Sequence, residues 1–399
     1  MAPTSPRSVL ISGASIAGPA LAFWLHQAGF AVTVVEKAPG LRAGGYPIDV
    51  RGTALDAVRR MGLLPRLQDQ HISTQRLTFL DADGREVASL HPNAVIGGVD
   101  GDDLEVRRGD LIHTLYDRVR DDVDFRFGDT VDTLTHHADG VDVTFRSGRQ
   151  DAYDLVIGAD GLHSHTRGLV FGDEARFHHY LGYSFAGFTM PNDFGLSREG
   201  IAWSTPGKGA ALYAVLDSKE VHGFLVFARP EAPIEAFRDP EAQRDLIART
   251  FDGDGWEIPR MVAAMREADD LFFDVISQIH LPRWSAGRVA LVGDAAHAPS
   301  FLTGQGTSLA LVGAYVLGHA LATIPDHTAA FAAYENRLRT FVERNQALVT
   351  EGQATLFPTT AEALEQRNAA LRQLTAAPPR APRPEHSALT LPDFPVRVR

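Results

Sequence analysis

Val9-Leu10-Ile11-Ser12-Gly13-Ala14-Ser15-Ile16-Ala17-Gly18-Pro19 is the stretch on which the fold turns. The apolar run Val9 to Ile11 gives way to small residues, and from Ala17 to Gln27 apolar residues return at helical spacing. Ala31 to Val35 is another apolar run, so the order is strand, turn, helix, strand. That unit opens a parallel sheet with helices on its faces. Gly13 to Gly18 is a G-x-S-x-x-G variant of the dinucleotide fingerprint, whose small residues let the backbone approach a pyrophosphate at the positive end of the helix. Pro19 sits in the first helical turn, where its missing N–H costs nothing. Glu36 ends the second strand, 18 residues beyond Gly18, where a carboxylate accepts ribose hydroxyls. Ser15 replaces the middle glycine, and its hydroxyl is able to bond a phosphate oxygen. Alone, the same stretch serves equally as a plain strand-to-helix turn.

Outward from this unit, helical spacing recurs at Gly52 to Gly62 and at Arg108 to Arg120, with a hairpin at Arg76 to Leu90 around Asp83-Gly84. Residues 123 to 157 alternate as a three-stranded meander that ends in the buried run Leu155-Val156-Ile157. From about 175 to 280 the texture is aromatic, with seven of the 22 Phe between 177 and 237, strands at Tyr183 to Met190, Ala210 to Leu216 and Gly223 to Ala228, and one helix near Glu241 to Arg249. Arg288 to Val292 returns to the first sheet, and helices follow at about 306–323, 327–350 and 359–375. The Pro-rich segment Ala376 to Glu385 is expected to be an extended strap or disordered. The domain division expected is 1–174 with 281–325, an inserted unit 175–280, a helical region 326–375 and a tail 376–399.

The 399 residues hold 38 Lys plus Arg against 50 Asp plus Glu, a formal charge of −12, which gives no general attraction to a phosphate backbone and argues against nucleic acid as a partner. There is no cysteine, hence no disulfide, thiolate nucleophile, zinc ribbon or iron–sulfur cluster, and redox chemistry has to be borrowed from a cofactor. Met1 to Arg7 lacks the pattern of a signal peptide, and the apolar stretch Val312 to Ile324 is short and broken by His319. A cytoplasmic protein without membrane contact is expected.

Two further segments share one design. Leu155-Val156-Ile157-Gly158-Ala159-Asp160-Gly161 continues to Ser164 and Arg167, and Arg288 to Val292 continues as Gly293-Asp294-Ala295-Ala296-His297 to Gly304-Gln305-Gly306. Each is a buried strand ending beside an acid, at the carboxyl edge where ligands of open α/β sheets bind. Either acid alone is as well explained as a helix cap. In this order and combination the chain resembles the FAD-dependent aromatic monooxygenases of the para-hydroxybenzoate hydroxylase type, and among them the smaller members similar to tetracycline-degrading monooxygenases. The resemblance covers most of the chain and also takes in Arg108 with Asp110-Leu111.

The resemblance implies an α/β fold: a Rossmann-like FAD-binding domain with an inserted β-rich substrate domain and C-terminal helices. It implies that Gly13, Ser15, Ile16, Ala17 and Gly18 hold the FAD pyrophosphate and Glu36 the adenosine ribose, with Lys37 and Arg108 near adenine or phosphates. Asp294 would meet the flavin-side ribitol or ribose, Asp160 would serve cofactor and nicotinamide binding, and Arg42, Gly45 and Asp49 would lie along the flavin. Gly304, Gly306, Thr307 and Ser308 open an apolar helix whose free N–H groups suit the negative charge of a reduced flavin. One departure is that Phe301 stands where relatives usually place a proline beside the flavin.

The activity implied is NAD(P)H-driven activation of O2 through a flavin C4a-hydroperoxide, one oxygen atom passing to an aromatic or polyketide-like small molecule. No second nucleotide fingerprint distinguishes NADH from NADPH. Phe185, Phe188, Trp203, Tyr213, Phe224 and Phe227 are candidates for the substrate pocket, and no catalytic base is singled out. Another flavoenzyme on the same scaffold, an oxidase or halogenase, and a flavin- or ligand-binding protein without turnover remain open. Trp256-Glu257-Ile258-Pro259 matches half of a halogenase signature, with Asp254 where its first Trp belongs, and is taken as coincidence. His136-His137 and His178-His179 point to opposite faces of their strands, so metal binding is not expected, and His297 is expected to be structural.

Overall fold

The computed structural model describes residues 6–41, 45–96, 103–237, 239–375 and 381–395. Ser8–Ser12, Ala17–Gln27 and Ala31–Glu36 form the expected strand, helix and strand. The first strand pairs in parallel with the second (Ile11 beside Val34) and with Leu155–Gly158 (Ile11 beside Ile157). Val289–Leu291 and Asp124–Phe127 extend this sheet in parallel on either side. The short strand Ser285–Ala286 closes one edge. Val9, Ile11, Leu155, Ile157 and Leu291 are fully buried, as strands covered on both faces require.

On one side the helix Ala17–Gln27 packs against Gly306–Thr323, and Gly318 admits the contact: a methyl there would stand 2.6 Å from the Trp24 Cβ. Gly306–Thr323 is long and apolar enough for a membrane span by composition, yet 78% of it is buried inside the protein. Helix His327–Ala347 covers its far side. On the sheet's other side lies the antiparallel meander Val131–His136, Val141–Phe145 and Gln150–Tyr153, with its own core of Val141, Val143 and Phe145.

The second layer is a seven-stranded sheet in the order Phe272–Ile279, His178–Pro191, Glu220–Ala228, Lys208–Ala214, Glu199–Thr205, Arg76–Leu80 and Glu86–Leu90. The last two are the hairpin from the N-terminal segment. It joins in parallel to Glu199–Thr205, Phe79 opposite Ala202, so residues 76–90 of the expected unit 1–174 lie in the second sheet. A second helix, Ile258–Glu267, lies behind this sheet beside Pro240–Thr250; the sequence analysis expected one helix there. The C-terminal helices run Val349–Leu356 and Ala361–Leu374, with Leu371 packed on Phe79, Ala88 and Leu90 of the hairpin.

Within the expected tail, residues 381–395 form an extended strap over the first domain. Thr53 Oγ1 donates to the Leu389 carbonyl at 2.7 Å, Tyr315 OH to Pro392 at 2.6 Å, and Phe394 lies 4.8 Å from the Trp24 ring.

Candidate active site

Gly13 has φ +111°, and a methyl on it would stand 2.4 Å from the Ala159 carbonyl oxygen, so the dinucleotide turn lies directly against the turn that follows Gly158. A methyl on Gly18 would stand 1.9 Å from the Gly13 carbonyl oxygen. Only glycine closes this turn. Glu36 fixes it further: its carboxylate accepts from Ala14 N and Ala38 N, both at 2.9 Å, which places the acid beside the turn. Arg108 Nη2 donates to Ser15 Oγ at 2.9 Å. Ser15 therefore has work that a glycine could not do, holding a guanidinium at the glycine-rich turn. No side chain caps the helix that starts at Ala17, which leaves its positive end for an anion.

The other segments converge on the same place. Gly293, at φ +65°, brings its turn to Ala17, where a methyl would stand 3.0 Å from the Ala17 Cβ. Asp294 begins the short helix Asp294–His297, and a methyl on Gly306 would stand 3.8 Å from its Oδ1. Gly304, in the left-handed region at φ +64°, lies near Asp49 (3.5 Å from a methyl to Oδ2), and Gly45 lies near the stem of Arg108. Gly13 to Gly18, Gly45, Asp49, Arg108, Asp294 and Gly304 to Ser308 thus form one continuous lining. Lys37 is exposed beside it, and Arg42 lies outside the described residues.

Several groups here lack a protein partner. The Asp294 carboxylate makes no hydrogen bond to a described side chain or backbone group; burial pushes its pKa up, with Arg108 opposing and Asp274 adding to the rise. Gln305 Oε1 is buried with no hydrogen-bond partner, and no side chain caps the helix Gly306–Thr323. A buried carbonyl oxygen left unpaired costs about 1–3 kcal/mol, so these groups are fitted to a polar ligand with both donors and acceptors. FAD offers both along its ribityl chain and flavin ring. Asp294→Ala is expected to weaken FAD binding by about 1–3 kcal/mol, roughly five- to a hundredfold, in titrations of apoprotein. Unchanged affinity would leave Asp294 no role beyond its helix start.

Asp160 is engaged within the protein. Its carboxylate accepts from the Ser164 hydroxyl and, at 2.9 Å each, from Thr166 N and Oγ1, so it braces the start of helix His165–Phe171. Ser308 also turns inward, its Oγ accepting from Arg51 N at 3.1 Å. Arg51 in turn bridges Asp49 at 3.1 Å and Asp103 at 3.2 Å. Burial alone would lower its pKa, but Asp49, Asp103 and Glu105 outweigh it and the guanidinium is held charged.

Glu105 is a residue the sequence analysis missed. It lies on Leu104–Arg107, paired with Pro47–Val50, between buried Leu104 and Val106, an alternation that is visible in the sequence. Its carboxylate accepts from Thr74 Oγ1 at 2.6 Å and from the Tyr213 hydroxyl. Burial and then Asp49 raise its pKa, while the hydrogen bonds from Thr74 and Tyr213 oppose the rise. The cluster stitches the flavin-side loop to the large sheet.

Strand alternation sorts the candidate pocket. Tyr213 points toward Glu105, Phe224 meets Tyr46 with ring centres 6.0 Å apart, and Phe185 meets Phe301 at 5.3 Å, so these three face the first domain. Phe188, Trp203 and Phe227 face the other way, into a core with Ile247, Phe251, Ile258, Met261 and Met265, and are removed from the pocket. Trp203 stacks on Trp256 in that core, and Asp254 pairs with Lys208 at 2.7 Å, which gives the halogenase-like segment a structural explanation.

His297 is buried against Trp284 and Tyr334, and burial pushes its pKa down to about 3, so it is neutral and structural. His178 meets His163 and Glu174, a grouping the sequence did not reveal. There His163 bonds Glu174 at 2.7 Å and Asp274 at 3.0 Å, and Arg167 donates to Glu174 at 2.6 Å, so a guanidinium already neutralises the cluster. Asp274 and Glu174 raise the His163 pKa to about 10, and Glu174 is lowered, His163 and Arg167 overcoming its burial. Stability from His163 is full below its unfolded value of 6.5 and is lost as pH rises through 10, whereas that from Glu174 is lost on acidification below 4.5. The deficit of His163→Gln in urea melts should therefore be largest between about pH 4.5 and 6.5 and vanish above pH 10. Its side chain is 45% exposed, which keeps the deficit small, and a deficit constant from pH 6 past 10 would contradict this.

A Rossmann-like unit whose glycine turn, Glu36 and uncapped helix converge beside a β-rich sheet face has the form of a dinucleotide-binding enzyme. The chain matches the FAD binding domain family over residues 7–349 and belongs to it. It is 44% identical over 351 residues to an uncharacterized protein of Mycobacterium tuberculosis, covering 86% of this chain and 93% of the relative. It is 40% identical over 366 residues to a flavin-dependent monooxygenase from an unidentified prokaryote, covering 91% and 94%. The solved structure of tetracycline destructase Tet(55) matches with a TM-score of 0.84 at 36% identity, over 99% of this chain and 100% of that one. The protein is an FAD-dependent monooxygenase.

Proposed function

We propose that the enzyme spends NAD(P)H and O2 to place one oxygen atom on an aromatic or polycyclic small molecule in the cytoplasm. The observation that carries this reading is the apposition of the partnerless polar groups at Asp294 and Gln305 to the sheet face bearing Phe185, Tyr213 and Phe224. Bound FAD supplies the oxygen chemistry. The chain's part is to hold the cofactor along Gly13 to Gly18, Glu36, Arg108 and Asp294, to direct helix N–H groups of Gly306 to Ser308 at its negative end, and to exclude water with apolar rings. That Tet(55) is named a tetracycline destructase supports a polycyclic substrate.

Turnover under isotopically labelled O2 tests this. One labelled atom is expected in the product and the other in water, with NAD(P)H consumed in equal amount. Label recovered only in hydrogen peroxide for every substrate that binds would make the protein an oxidase and overturn the reading.

A further inference from the structure

Among the described residues three arginines are buried: Arg51, Arg167 and Arg367. The first two are neutralised, Arg51 by Asp49 and Asp103 and Arg167 by Glu174. Arg367 is not. It is 6% exposed, its Nε and Nη2 are buried without a hydrogen-bond partner, and no carboxylate among the described residues offsets the loss of water, which pushes its pKa down to about 10. The guanidinium is therefore still charged at neutral pH. It stands over the Phe79 ring at 5.6 Å, but a ring face satisfies no N–H in line and restores only a part of the lost hydration.

The helix Ala361–Leu374 puts this cation in its apolar stripe. Arg367, Leu371 and Leu374 follow one another at intervals of four and three residues, which is one face of a helix, and both leucines pack with Phe79, Ala88 and Leu90. Phe79 in turn lies on the sheet face turned to the first domain. It is paired with Ala202, Ala202 with Ala211, and Ala211 with Phe224, and residues paired across strands share a face. Phe224 is the ring beside Tyr46. Between the two rings the row carries only methyl groups, and Ala202 and Ala211 are half-buried, whereas Trp203, Ala210 and Leu212, facing the other way, are buried. Tyr213 flanks the row on one side, and Phe357 on the other, 3.2 Å from where a methyl on Gly209 would stand. The row is a trough with a low floor, three strand spacings or about 14 Å long. Phe224 stands at one end and Arg367 at the other.

We infer that Arg367 is the receptor of an anionic subsite at the far end of this trough, and that it takes a carboxylate or a like planar oxyanion carried by the substrate. The fork of a guanidinium matches two oxygens in a plane, and pairing with them returns the hydrogen bonds that burial removed. Packing alone gives no reason for a cation here, since an apolar side chain of similar size fills such a position at lower cost. The inference rests on the proposed function for taking the ligand to be the substrate, but its test reads binding and does not depend on the fate of oxygen.

The probes are biphenyl-4-carboxylate, two rings in line with a charged end, and biphenyl-4-carboxamide, the same rod without the charge. They are titrated into purified holoenzyme at neutral pH and followed by perturbation of flavin absorbance. Wild type is expected to bind the acid roughly tenfold or more tightly than the amide, the scale of hydrogen bonds to a charged group. Arg367→Met should bring the two probes within about twofold of each other, and Arg367→Lys, which keeps the charge but loses the fork, should retain part of the preference. The urea midpoint of ligand-free Arg367→Met should not fall, because an unpaired buried charge has been removed. No preference for the acid in wild type, or the same preference in Arg367→Met, would overturn the subsite. A fallen midpoint with the preference unchanged would do so too, and would make Arg367 part of the core. Sodium acetate tests a free anion: if it raises the urea midpoint of wild type but not of Arg367→Met, while the biphenyl acid leaves the flavin spectrum unchanged, the assignment to the substrate is overturned. A preference lost with Arg367, together with labelled oxygen found only in peroxide, would overturn the proposed function and leave the subsite standing.

Discussion

Gly18→Val is expected to give a colourless protein. The side chain would start 1.9 Å from the Gly13 carbonyl oxygen and 3.1 Å from its carbonyl carbon, so backbone, not a flexible side-chain tip, has to move. Gly13 has no room to retreat, since its own missing Cβ points 2.4 Å from the Ala159 carbonyl oxygen and its N–H is bonded to the Val35 carbonyl at 2.7 Å. Relief must come from rotating the start of helix Ala17–Gln27, which turns the uncapped N–H groups away from the pyrophosphate. We expect at least a hundredfold loss of FAD affinity, about 3 kcal/mol. Overpacking should lower the unfolding free energy measured in urea as well, by about 1–3 kcal/mol. Gly40→Ala is the control from the same unit, because a methyl there meets nothing within 4 Å. Flavin content equal to wild type in Gly18→Val would dissociate this turn from the cofactor.

The cofactor side of the molecule was legible because its signals are local. Strand, small-residue turn and apolar helix lie within 30 residues, and two further acids after buried strands repeat the pattern. What the sequence concealed depends on pairing over distance. The hairpin Arg76–Leu90 has a clear turn, yet nothing near it announces that it joins Glu199–Thr205. The clusters of Glu105 with Thr74 and Tyr213, and of His163 with Glu174 and Asp274, draw partners from separate segments in the same way. Helix Ile258–Glu267 had its apolar spacing at Ile258, Met261 and Met265, but Pro259 reads as a breaker unless it is placed in the first turn, where it sits. Asp160 illustrates a different difficulty. A carboxylate after a buried strand serves a ligand or a cap with the same sequence pattern, and the bonds from Ser164 and Thr166 that brace the next helix come from side chains whose aim the sequence does not give.

Trp203→Ala should separate the two faces of the large sheet. The strand pattern alternates, and aromatic composition alone does not reveal which face is covered by helices. Trp203 is 1% exposed, stacks on Trp256 with ring centres 6.4 Å apart and donates from Nε1 to the Ala82 carbonyl at 3.2 Å. Truncation removes that packing and opens a cavity, which together are expected to cost about 3–5 kcal/mol in urea unfolding. The loss should fall on stability and not on ligand selection, because the residue is separated from the flavin-side face by the sheet itself. Phe224→Ala is the counterpart: half-exposed on the opposite face, with Tyr46 6.0 Å away, it should cost less in stability and more in substrate binding. If the folded Trp203→Ala enzyme instead lost probe binding while its urea midpoint stayed at the wild-type value, the assignment of the two faces would be reversed.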